Sequence, residues 1–568
     1  MVKKHKSAKG ITLVALVITI IILLILAGIS ISTLTNTGIF EKAKEAKEKT
    51  EQAEKNQQAL LSEYETEMEK TAGNWNSTQK VNEPILMQGM SAIKFQEPTD
   101  STEGKMVETT SGDENWYNYD SKQWANAETE DGSMWVWIPR YAYKVHKENG
   151  KTTQKFDVVF LIGTTDKYYD EDGNLQTAKR QKSVNETIDS SGDEYIVHPA
   201  FTNESSINYA NGGWDKELTG IWVAKFEAGY VNKEDDYEKN NLLKSSSVTY
   251  EQSSVWTWSG EAGTKDDSSQ PARNWLDGVY GSTKTAIKYP TFQGLRYSMN
   301  YINNSNAFGI SRALTESGNI YGLSSSSTDS HLMKNSEWGA VSYLSQSKYG
   351  LDGTNIVINN ACLYNTTQSA YAVTGCAGEA ANSGGISTTI DKIKDGTQSG
   401  IYTWTQKKGT VASSTGTIYG IYDLSGGVWE RTAAIVNNGN GNLNDYGKAT
   451  MAALNNGGSS KYVTVYPHDT DKDNTSITSN DANLTEASKA NYLKNTQIYG
   501  DAVRETSTAG VGQTSWYNDY SCFPGLYSPF FARGGRWWLD SGAGLFSFFR
   551  NDGSSLYNCG FRSVLVAL

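Results

Sequence analysis

The sequence contains little cysteine, proline or histidine, and its charge balance is acidic. Among 568 residues there are 4 cysteines, 9 prolines and 5 histidines, and the formal net charge is −12. The cysteines show no metal-binding spacing, and no two histidines are close enough in sequence to form a helical metal pair. Because a nucleic-acid-binding surface normally carries a basic face, the acidic balance disfavours nucleic acid as a partner. The length is sufficient for two or three globular domains.

One acidic run has the alternation of a calcium-binding loop. Asp469, Asp471 and Asp473 are spaced like the first ligands of such a loop, but Asn474 replaces the glycine of its sixth position and Asn480 replaces the glutamate of its twelfth. We therefore expect a solvated acidic turn here. The sequence predicts no metal site and no cofactor at any named position, and it leaves open a structural calcium ion elsewhere.

The N-terminus carries a long run without charge. Ile11 to Ile31 span 21 residues without a charged side chain, after a segment that contains Lys3, Lys4 and Lys9. At about 1.5 Å per helical residue, this run matches a bilayer core of about 30 Å. We predict a transmembrane helix over residues 11–35. Basic residues precede the helix, so the positive-inside rule places the N-terminus in the cytoplasm and the remaining chain outside the cell membrane.

The start of this run resembles a processing signal. Lys9-Gly10-Ile11-Thr12-Leu13 is similar to the class III signal of type IV prepilins, in which a prepilin peptidase cuts after the glycine. The resemblance implies a leader over residues 1–10, cleavage between Gly10 and Ile11, and a pilus-like assembly as a partner. Pilins have a glutamate five residues after the cut, where this chain has Ala15. A plain membrane anchor therefore stays as the alternative.

A charged helical stalk is predicted over residues 36–75. Glu41 to Lys70 are rich in Glu, Lys, Gln and Ala and contain no Pro or Gly, which favours a solvent-exposed helix. The apolar content at heptad spacing is low. We expect this segment to hold the globular part away from the membrane, with a coiled coil as the alternative.

From about residue 76 the pattern changes to short aromatic runs that are typical of strands. Met134 to Ile138 and Gly220 to Glu227 are predicted strands, Val341 to Leu344 is a third, and Asp170 to Gly173 predicts a tight turn. Residues 76–214 are predicted as a β-rich region that either belongs to the same unit as the C-terminal part or forms a small separate domain. Residues 436–495, rich in Asn, Gly, Ser, Thr and Asp, predict a loop insertion.

Two motifs carry a family resemblance. Tyr419-Gly420-Ile421-Tyr422-Asp423-Leu424-Ser425-Gly426-Gly427-Val428-Trp429-Glu430 resembles the signature of the formylglycine-generating enzyme (sulfatase-modifying factor) superfamily, with Gly427 in place of Asn and Arg431 in place of the second Trp. We expect Glu430 and Arg431 to serve in buried ion pairing. The second motif comprises Arg533-Gly534-Gly535-Arg536-Trp537-Trp538, Ala543-Gly544-Leu545-Phe546-Ser547-Phe548 and Gly560-Phe561-Arg562. It resembles the variable segment of target proteins of diversity-generating retroelements.

Those target proteins are C-type-lectin-fold binders. The resemblance covers residues 215–568 and implies a β-rich α+β fold, with a C-type-lectin-like domain carried on the N-terminal transmembrane and stalk helix. Its variable segment would span residues 533–562. Within this segment, the glycines permit positive φ or close backbone approach, and large apolar residues fill a core. These predicted frame residues are Gly534, Gly535, Trp537, Gly544, Leu545, Phe546, Phe548, Gly560 and Phe561.

The resemblance also implies which positions change. In that family, adenines of asparagine codons are randomised while the last base stays a pyrimidine, so Trp, Met, Lys, Gln and Glu are never produced. Trp538 departs from this rule and is expected to be fixed. The implied ligand-binding positions are Arg536, Leu539, Asp540, Gly542, Phe549, Asp552, Ser554, Leu556, Tyr557, Asn558 and Cys559.

The sequence thus predicts a non-enzymatic, surface-anchored binder or adhesin of an unknown protein or glycan on another cell, a phage or a host surface. A pilin-like or pseudopilin-like subunit with a fixed adhesive domain is the first alternative. Formylglycine generation is the second, and it depends on a pair of reactive cysteines near the C-terminus. After Arg533 the sequence contains Cys559 alone.

Overall fold

The computed structural model describes residues 75–180, 194–203, 212–230, 289–366, 369–380, 384–472, 481–495 and 498–568, together with Thr19, Ile20, Lys47, Lys49 and Thr50. The chain divides into two compact units, Met1–Lys70 and Thr71–Leu568. The predicted leader lies outside the described residues, and so do the predicted membrane span and stalk apart from the five isolated residues and Trp75. Within the part that the structure describes, no helix has the length and apolar character needed to cross a membrane.

The second unit is a strand-rich α+β structure, as predicted. Its strands begin with β1 (Trp75–Asn76), β2 (Val81–Asn82), β3 (Met90–Gln96), β4 (Lys105–Val107), β5 (Asn126–Thr129), β6 (Met134–Pro139), β7 (Tyr141–Glu148), β8 (Lys151–Phe160), β9 (Lys167–Tyr169), β10 (Leu175–Thr177), β11 (Ile196–Val197), β12 (Gly220–Ala224) and β13 (Thr328–Leu332). They continue with β14 (Ala361–Thr366), β15 (Ser369–Ala372), β16 (Cys376–Gly378), β17 (Ile386–Ser387), β18 (Ile401–Thr403), β19 (Trp429–Val436), β20 (Thr464–Tyr466), β21 (Val511–Gln513), β22 (Tyr520–Cys522), β23 (Phe530–Gly534), β24 (Gly544–Asn551), β25 (Cys559–Phe561) and β26 (Ser563–Ala567). The described α-helices are α1 (Asn304–Arg312), α2 (Asn335–Ser345), α3 (Ile390–Lys394), α4 (Gly441–Tyr446), α5 (Lys448–Ala452) and α6 (Asp481–Lys494).

The first sheet joins the two ends of this unit. Its seven antiparallel strands lie in the order β13-β26-β12-β6-β5-β3-β4. The C-terminal strand β26 therefore lies between β13 and β12, and β12 pairs directly with β6. Since four strands from residues 90–139 belong to this sheet, residues 76–214 are part of the same unit as the C-terminal region.

The centre of the first sheet is buried on both faces. Every residue of β6 and β12 is buried, and these strands confirm the predictions for Met134 to Ile138 and for the first part of Gly220 to Glu227. The rings of Trp137 and Trp222 lie 5.3 Å apart. Gly220 lets them pack, because a Cβ atom at this position would lie 2.3 Å from the Trp137 ring. Burying side chains of this size contributes about 1.5–3 kcal/mol each.

The second sheet brings the two family-like motifs together. Its strands follow the order β20-β19-β23-β24-β22-β21, and β25 also pairs with β19. β19 begins at Trp429, within the first motif, and runs antiparallel to β23 and parallel to β25. The predicted variable segment thus lies against the end of the first motif, and this contact positions the candidate site.

One prediction about local structure was wrong, and one was confirmed. Val341 to Leu344 lie in helix α2, which is buried along its whole length and so has no polar face to reveal a helical period. The Glu337 carboxylate accepts the Lys334 N–H at 2.8 Å and closes the start of this helix. The predicted turn at Asp170 to Gly173 joins β9 to β10, with the Gly173 N–H donating to the Asp170 carbonyl at 3.0 Å.

The predicted loop insertion at residues 436–495 contains helices α4, α5 and α6 and strand β20. Its asparagines partly serve as helix caps, since the Asn440 side chain accepts the Asn442 N–H at 2.9 Å at the start of α4. β20 extends the second sheet beside β19. The asparagine-rich composition that suggests a loop is therefore also compatible with a folded segment of short, capped helices.

Candidate binding face

The predicted frame residues of residues 533–562 are buried. Trp537, Leu545, Phe546, Phe548 and Phe561 each expose 3% of their surface or less. Gly534 and Gly535 both have positive φ, of 82° and 83°. The segment therefore has a fixed core from which the remaining side chains project.

Two of the glycines allow close backbone approach. A Cβ atom at Gly535 would lie 2.6 Å from Ala543, where the chain turns back after residues 536–542. A Cβ atom at Gly544 would lie 2.2 Å from the buried carboxylate of Asp519, which accepts the Phe546 N–H at 2.8 Å. These contacts set the start of β24 and require glycine for steric reasons.

The two motifs are joined by backbone hydrogen bonds. The Trp537 N–H donates to the Gly427 carbonyl at 2.9 Å, and the Trp429 N–H donates to the Asn558 carbonyl at 2.9 Å. Gly427 has a φ of 64°, and its backbone lies against the carboxylate of Glu227. Gly427 stands in place of the asparagine of the signature that this motif resembles, at a point where the chain adopts a left-handed conformation.

An aromatic and aliphatic cluster forms the centre of the candidate face. The rings of Trp429 and Phe549 stack with centroids 5.1 Å apart, and the Tyr520 ring lies 6.0 Å from Phe549. Leu539 and Leu556 are half-buried against the same cluster. Strand β24 places Phe549 opposite Ala532 of β23, and the small alanine leaves room for the large rings.

A second group of side chains borders this cluster. The Arg536 guanidinium lies 4.4 Å from the Trp538 ring centroid, and the Tyr557 ring packs edge-on against Trp537 at 6.1 Å. Trp538 exposes 49% of its surface, and Trp537, its neighbour in sequence, exposes 3%. Adjacent residues of one type thus have opposite roles, one in the core and one at the surface.

The turn between β24 and β25 is held by side chains from the fixed part of the protein. Arg431 donates to the Ile302 carbonyl at 3.0 Å, to the Asn551 side chain at 2.7 Å and to the Ser554 carbonyl. The Asn300 amide donates to the Tyr557 carbonyl at 2.5 Å. The backbone of this turn is therefore anchored by Arg431 and Asn300, which lie outside the predicted variable segment.

Most of the implied variable positions are accessible, but some are not. Asp540 is exposed, and the half-buried positions are Arg536, Leu539, Phe549, Asp552, Ser554, Leu556 and Tyr557. Gly542, Asn558 and Cys559 are buried. The Cys559 thiol lies beside Asn551, whose amide donates to it at 3.5 Å. Asp540 adopts a φ of 48°, a conformation in which aspartate, asparagine and glycine are the most readily accommodated residues.

The carboxylates near the first motif serve the fold. Glu430 pairs with Arg562 through two contacts of 2.6 and 2.9 Å in a fully buried site, which confirms the ion pairing predicted for Glu430. Arg431 binds carbonyls and Asn551, so its predicted ion pairing was wrong. Burial raises the pKa of Glu430, and the Arg562 charge opposes this rise. Glu227 accepts hydrogen bonds from the Ser298 hydroxyl at 2.5 Å and the Val428 N–H at 3.1 Å.

The cysteines have the environment of structural thiols. All four are free and buried. Burial raises the pKa of each thiol, so the thiolate form is disfavoured throughout. A thiol acts as a nucleophile or a soft-metal ligand in its thiolate form, and activated cysteines normally lie in electropositive, partly exposed surroundings.

No cluster of metal-binding side chains occurs among the residues that the structure describes. Asp469 and Asp471 lie in a described turn, where the Asp469 side chain accepts the backbone N–H of Asp471 at 3.2 Å. Asp473, Asn474 and Asn480 of the calcium-like spacing lie outside the described residues.

Sequence reasoning missed three members of the face. Trp429 belongs to the first motif, and its ring lies beneath Phe549 and stacks on it. Tyr520 comes from β22, where no motif marks it. The codon rule excludes Trp538 from the implied variable positions, but its exposure makes it the most prominent apolar residue of the face. A comparison with known proteins finds no family model and no curated protein that matches this chain.

Proposed function

We propose that this chain is a surface-anchored ligand-binding protein with a C-type-lectin-like fold whose C-terminal face is diversified by a retroelement. One observation carries the proposal. Within residues 533–562 the predicted frame residues are buried, while eight of the eleven implied variable positions are at least partly exposed around Trp429 and Trp538. This separation of fixed and changeable side chains is what a scaffold for diversified binding requires.

The chemistry of the face supports binding. Tryptophan, tyrosine and arginine are the residue types that dominate the energies of protein interfaces. Aromatic side chains offer a large contact area at low entropic cost, as they do in antibody loops. Anchoring by Arg431 and Asn300 reduces the ordering that binding would require, and each immobilised flexible side chain would otherwise subtract about 0.5–1.5 kcal/mol.

The location of the protein is proposed from its sequence. In this proposal residues 11–31 cross the cell membrane once, the N-terminus is cytoplasmic, and residues 36–75 carry the binding domain outside the cell. A prepilin peptidase would remove residues 1–10. Ala15 disfavours packing into a filament, because the carboxylate that would neutralise a buried N-terminal ammonium is missing.

We propose that the chain is not a formylglycine-generating enzyme. The burial and raised thiol pKa of Cys522 and Cys559 support this view, since that reaction depends on reactive cysteines. Glu430 and Arg431 are committed to contacts within the fold.

Sequencing of the DNA beside this gene tests the proposal. A near-identical copy of the segment that encodes residues 533–562, next to a reverse transcriptase gene, is the expected result. In that copy, asparagine codons should stand at positions such as Leu539, Phe549 and Tyr557. If neither a repeat nor a reverse transcriptase is present, the chain is a fixed-specificity adhesin and the retroelement part of the proposal fails.

A further inference from the structure

Arg536 occupies an unusual position within the face. Its guanidinium is stacked on the half-exposed Trp538 ring at 4.4 Å, and the residue is half-buried. Burial lowers the pKa of Arg536, while the neighbouring Tyr557 and Cys559 side chains oppose this shift. The charge is thus partly removed from water.

The other buried arginines of this protein are satisfied in a different way. Arg562 binds Glu430, and Arg140 binds Asp166 at 3.1 Å and Glu217 at 2.8 Å. Arg533 donates to three backbone carbonyls. In contrast, no described aspartate or glutamate forms an ion pair with Arg536. Its guanidinium has a hydrogen bond with the Tyr557 side chain, and its buried Nε has no hydrogen-bond acceptor within the described residues. A ligand that supplies both a hydrogen-bond acceptor and a negative charge would therefore be stabilised beside Arg536.

The acidic residues of the face do not fill this role. Asp552 accepts the Ser554 N–H at 3.0 Å and its hydroxyl at 2.8 Å, so it stabilises its own turn. Asp540 is exposed, beyond Leu539 in the short turn that precedes β24. Neither carboxylate forms an ion pair with Arg536 among the described residues, so this arginine remains available to an external anion.

The surroundings of Arg536 favour an apolar neighbour for that anion. Trp538 is about half exposed, and Leu539, Phe549 and Leu556 form a half-buried aliphatic and aromatic surface on Trp429. Flat aromatic rings alone would suit the faces of a sugar, but the two leucines favour burial of an apolar side chain. A guanidinium pairs with a carboxylate through two parallel hydrogen bonds.

We propose that the ligand of this particular sequence is a protein segment that presents a carboxylate beside an aromatic or aliphatic side chain. The carboxylate pairs with Arg536, and the apolar side chain packs against Trp538, Leu539 and Phe549. Trp538 is the fixed part of this subsite, and Arg536 is a changeable part. Sibling chains that lack Arg536 should therefore still prefer ligands with apolar side chains but lose the preference for a carboxylate. The inference depends on the proposed function.

Selection from a random dodecapeptide display library on the purified full-length chain tests this inference. The expected result is enrichment of peptides with Asp or Glu within two residues of an aromatic or aliphatic side chain. Arg536→Gln is expected to weaken binding of these peptides by about ten- to hundredfold, as expected for loss of a charge-assisted bidentate contact. Arg536→Lys should restore part of the affinity.

Arg550→Gln is the matched control. Arg550 follows Phe549 in β24, but its guanidinium binds the Ser488 hydroxyl at 3.1 Å, away from the cluster of Trp429 and Phe549. This variant should bind the peptides like the wild type, and the unfolding midpoint of each variant shows whether it is folded.

Four outcomes would overturn the inference. Enrichment of peptides without acidic residues would refute the claim that the ligand presents a carboxylate. Unchanged affinity of the enriched peptides for Arg536→Gln would refute the same claim. In both cases the proposed binding function would still stand. Binding only to sugars on a glycan array would refute the protein ligand. Binding to neither peptides nor sugars would refute both this inference and the proposed function.

Discussion

The rings of Trp429 and Phe549 are stacked, with centroids 5.1 Å apart and planes inclined by 24°. Trp429 belongs to the motif that resembles the formylglycine-generating enzyme signature, and Phe549 is an implied variable position. Because the Trp429 ring lies beneath position 549, many different residues at this position would still contact an apolar surface. The fold can thus tolerate variation at this site without exposing a cavity.

Removal of the half-exposed rings of Phe549 and Tyr557 should weaken ligand binding strongly while the protein remains folded. Phe549→Ala and Tyr557→Ala delete side chains that pack on Trp429 and Trp537 from the solvent side. We expect each to weaken binding of library-selected peptides by about thirtyfold or more, as for an interface hot spot. The free energy of unfolding should fall by only about 1–2 kcal/mol, because both rings are half-exposed.

Leu493→Ala is the control for this pair. Leu493 lies on α6 with 64% of its surface exposed, so its loss should change neither property measurably. Unchanged affinity in both ring variants, measured by titration calorimetry, would remove Phe549 and Tyr557 from the binding face.

Gly535 should tolerate no side chain. Gly535→Ala combines a φ of 83° with a Cβ atom 2.6 Å from Ala543. Gly396→Ala is the matched control, because Gly396 has a φ of 73° and no atom within 4 Å of the added Cβ. We expect the control to lose about 1 kcal/mol from backbone strain, and Gly535→Ala to lose at least about 2 kcal/mol more from the steric clash. Equal losses in denaturant unfolding would show that the chain relaxes around position 535.

The ion pair beneath the first motif should be important for stability. Glu430→Gln leaves the buried Arg562 without the carboxylate that it binds and is expected to cost about 3–5 kcal/mol. Glu486→Gln, which removes one partner of the exposed pair with Lys489, should cost less than about 0.5 kcal/mol. A small loss in Glu430→Gln would mean that Arg562 finds another acceptor among the nearby carbonyls.

Glu505 predicts a dependence of stability on pH. Its carboxylate accepts the Tyr143 and Tyr343 hydroxyls at 2.6 Å each, and burial raises its pKa from 4.5 to about 7. Between these values the folded state keeps a proton that the unfolded state has lost, so stability falls as pH rises through this window.

Glu505→Gln removes this titration. Relative to the variant, the wild type should lose on the order of 2 kcal/mol between about pH 4.5 and pH 7. The measurement is the free energy of urea unfolding of both proteins at several pH values. Parallel curves would show that the pKa of Glu505 is the same in the folded and unfolded states.

Much of the frame was predictable because steric requirements are local. The positive φ of Gly534 and Gly535 and the burial of Trp537 and Phe561 follow from residue type and spacing. The strands at Met134 to Ile138 and Gly220 to Ala224 were predictable for the same reason, since β-branched and aromatic runs favour buried strands.

The remaining features depend on contacts between distant parts of the chain. Helix α2 shows no helical period because all of its sides are buried. Tyr520 joins the face only because β22 pairs with β24. The burial of Cys559 and the exposure of Trp538 depend on whether each side chain points into the core or towards solvent. The codon rule contains no information about the direction of a side chain.

Deep sequencing of the 3′ end of this gene in a population of sibling cells tests the central claim most directly. We predict substitutions confined to the implied variable codons, with the widest residue range at accessible positions such as Leu539, Phe549 and Tyr557. Buried Asn558 and Cys559 should show a narrower range among folded, displayed proteins, and Trp538 should stay constant. A uniform sequence across the population, or substitutions spread evenly over frame and face, would contradict the account of a diversified binding surface.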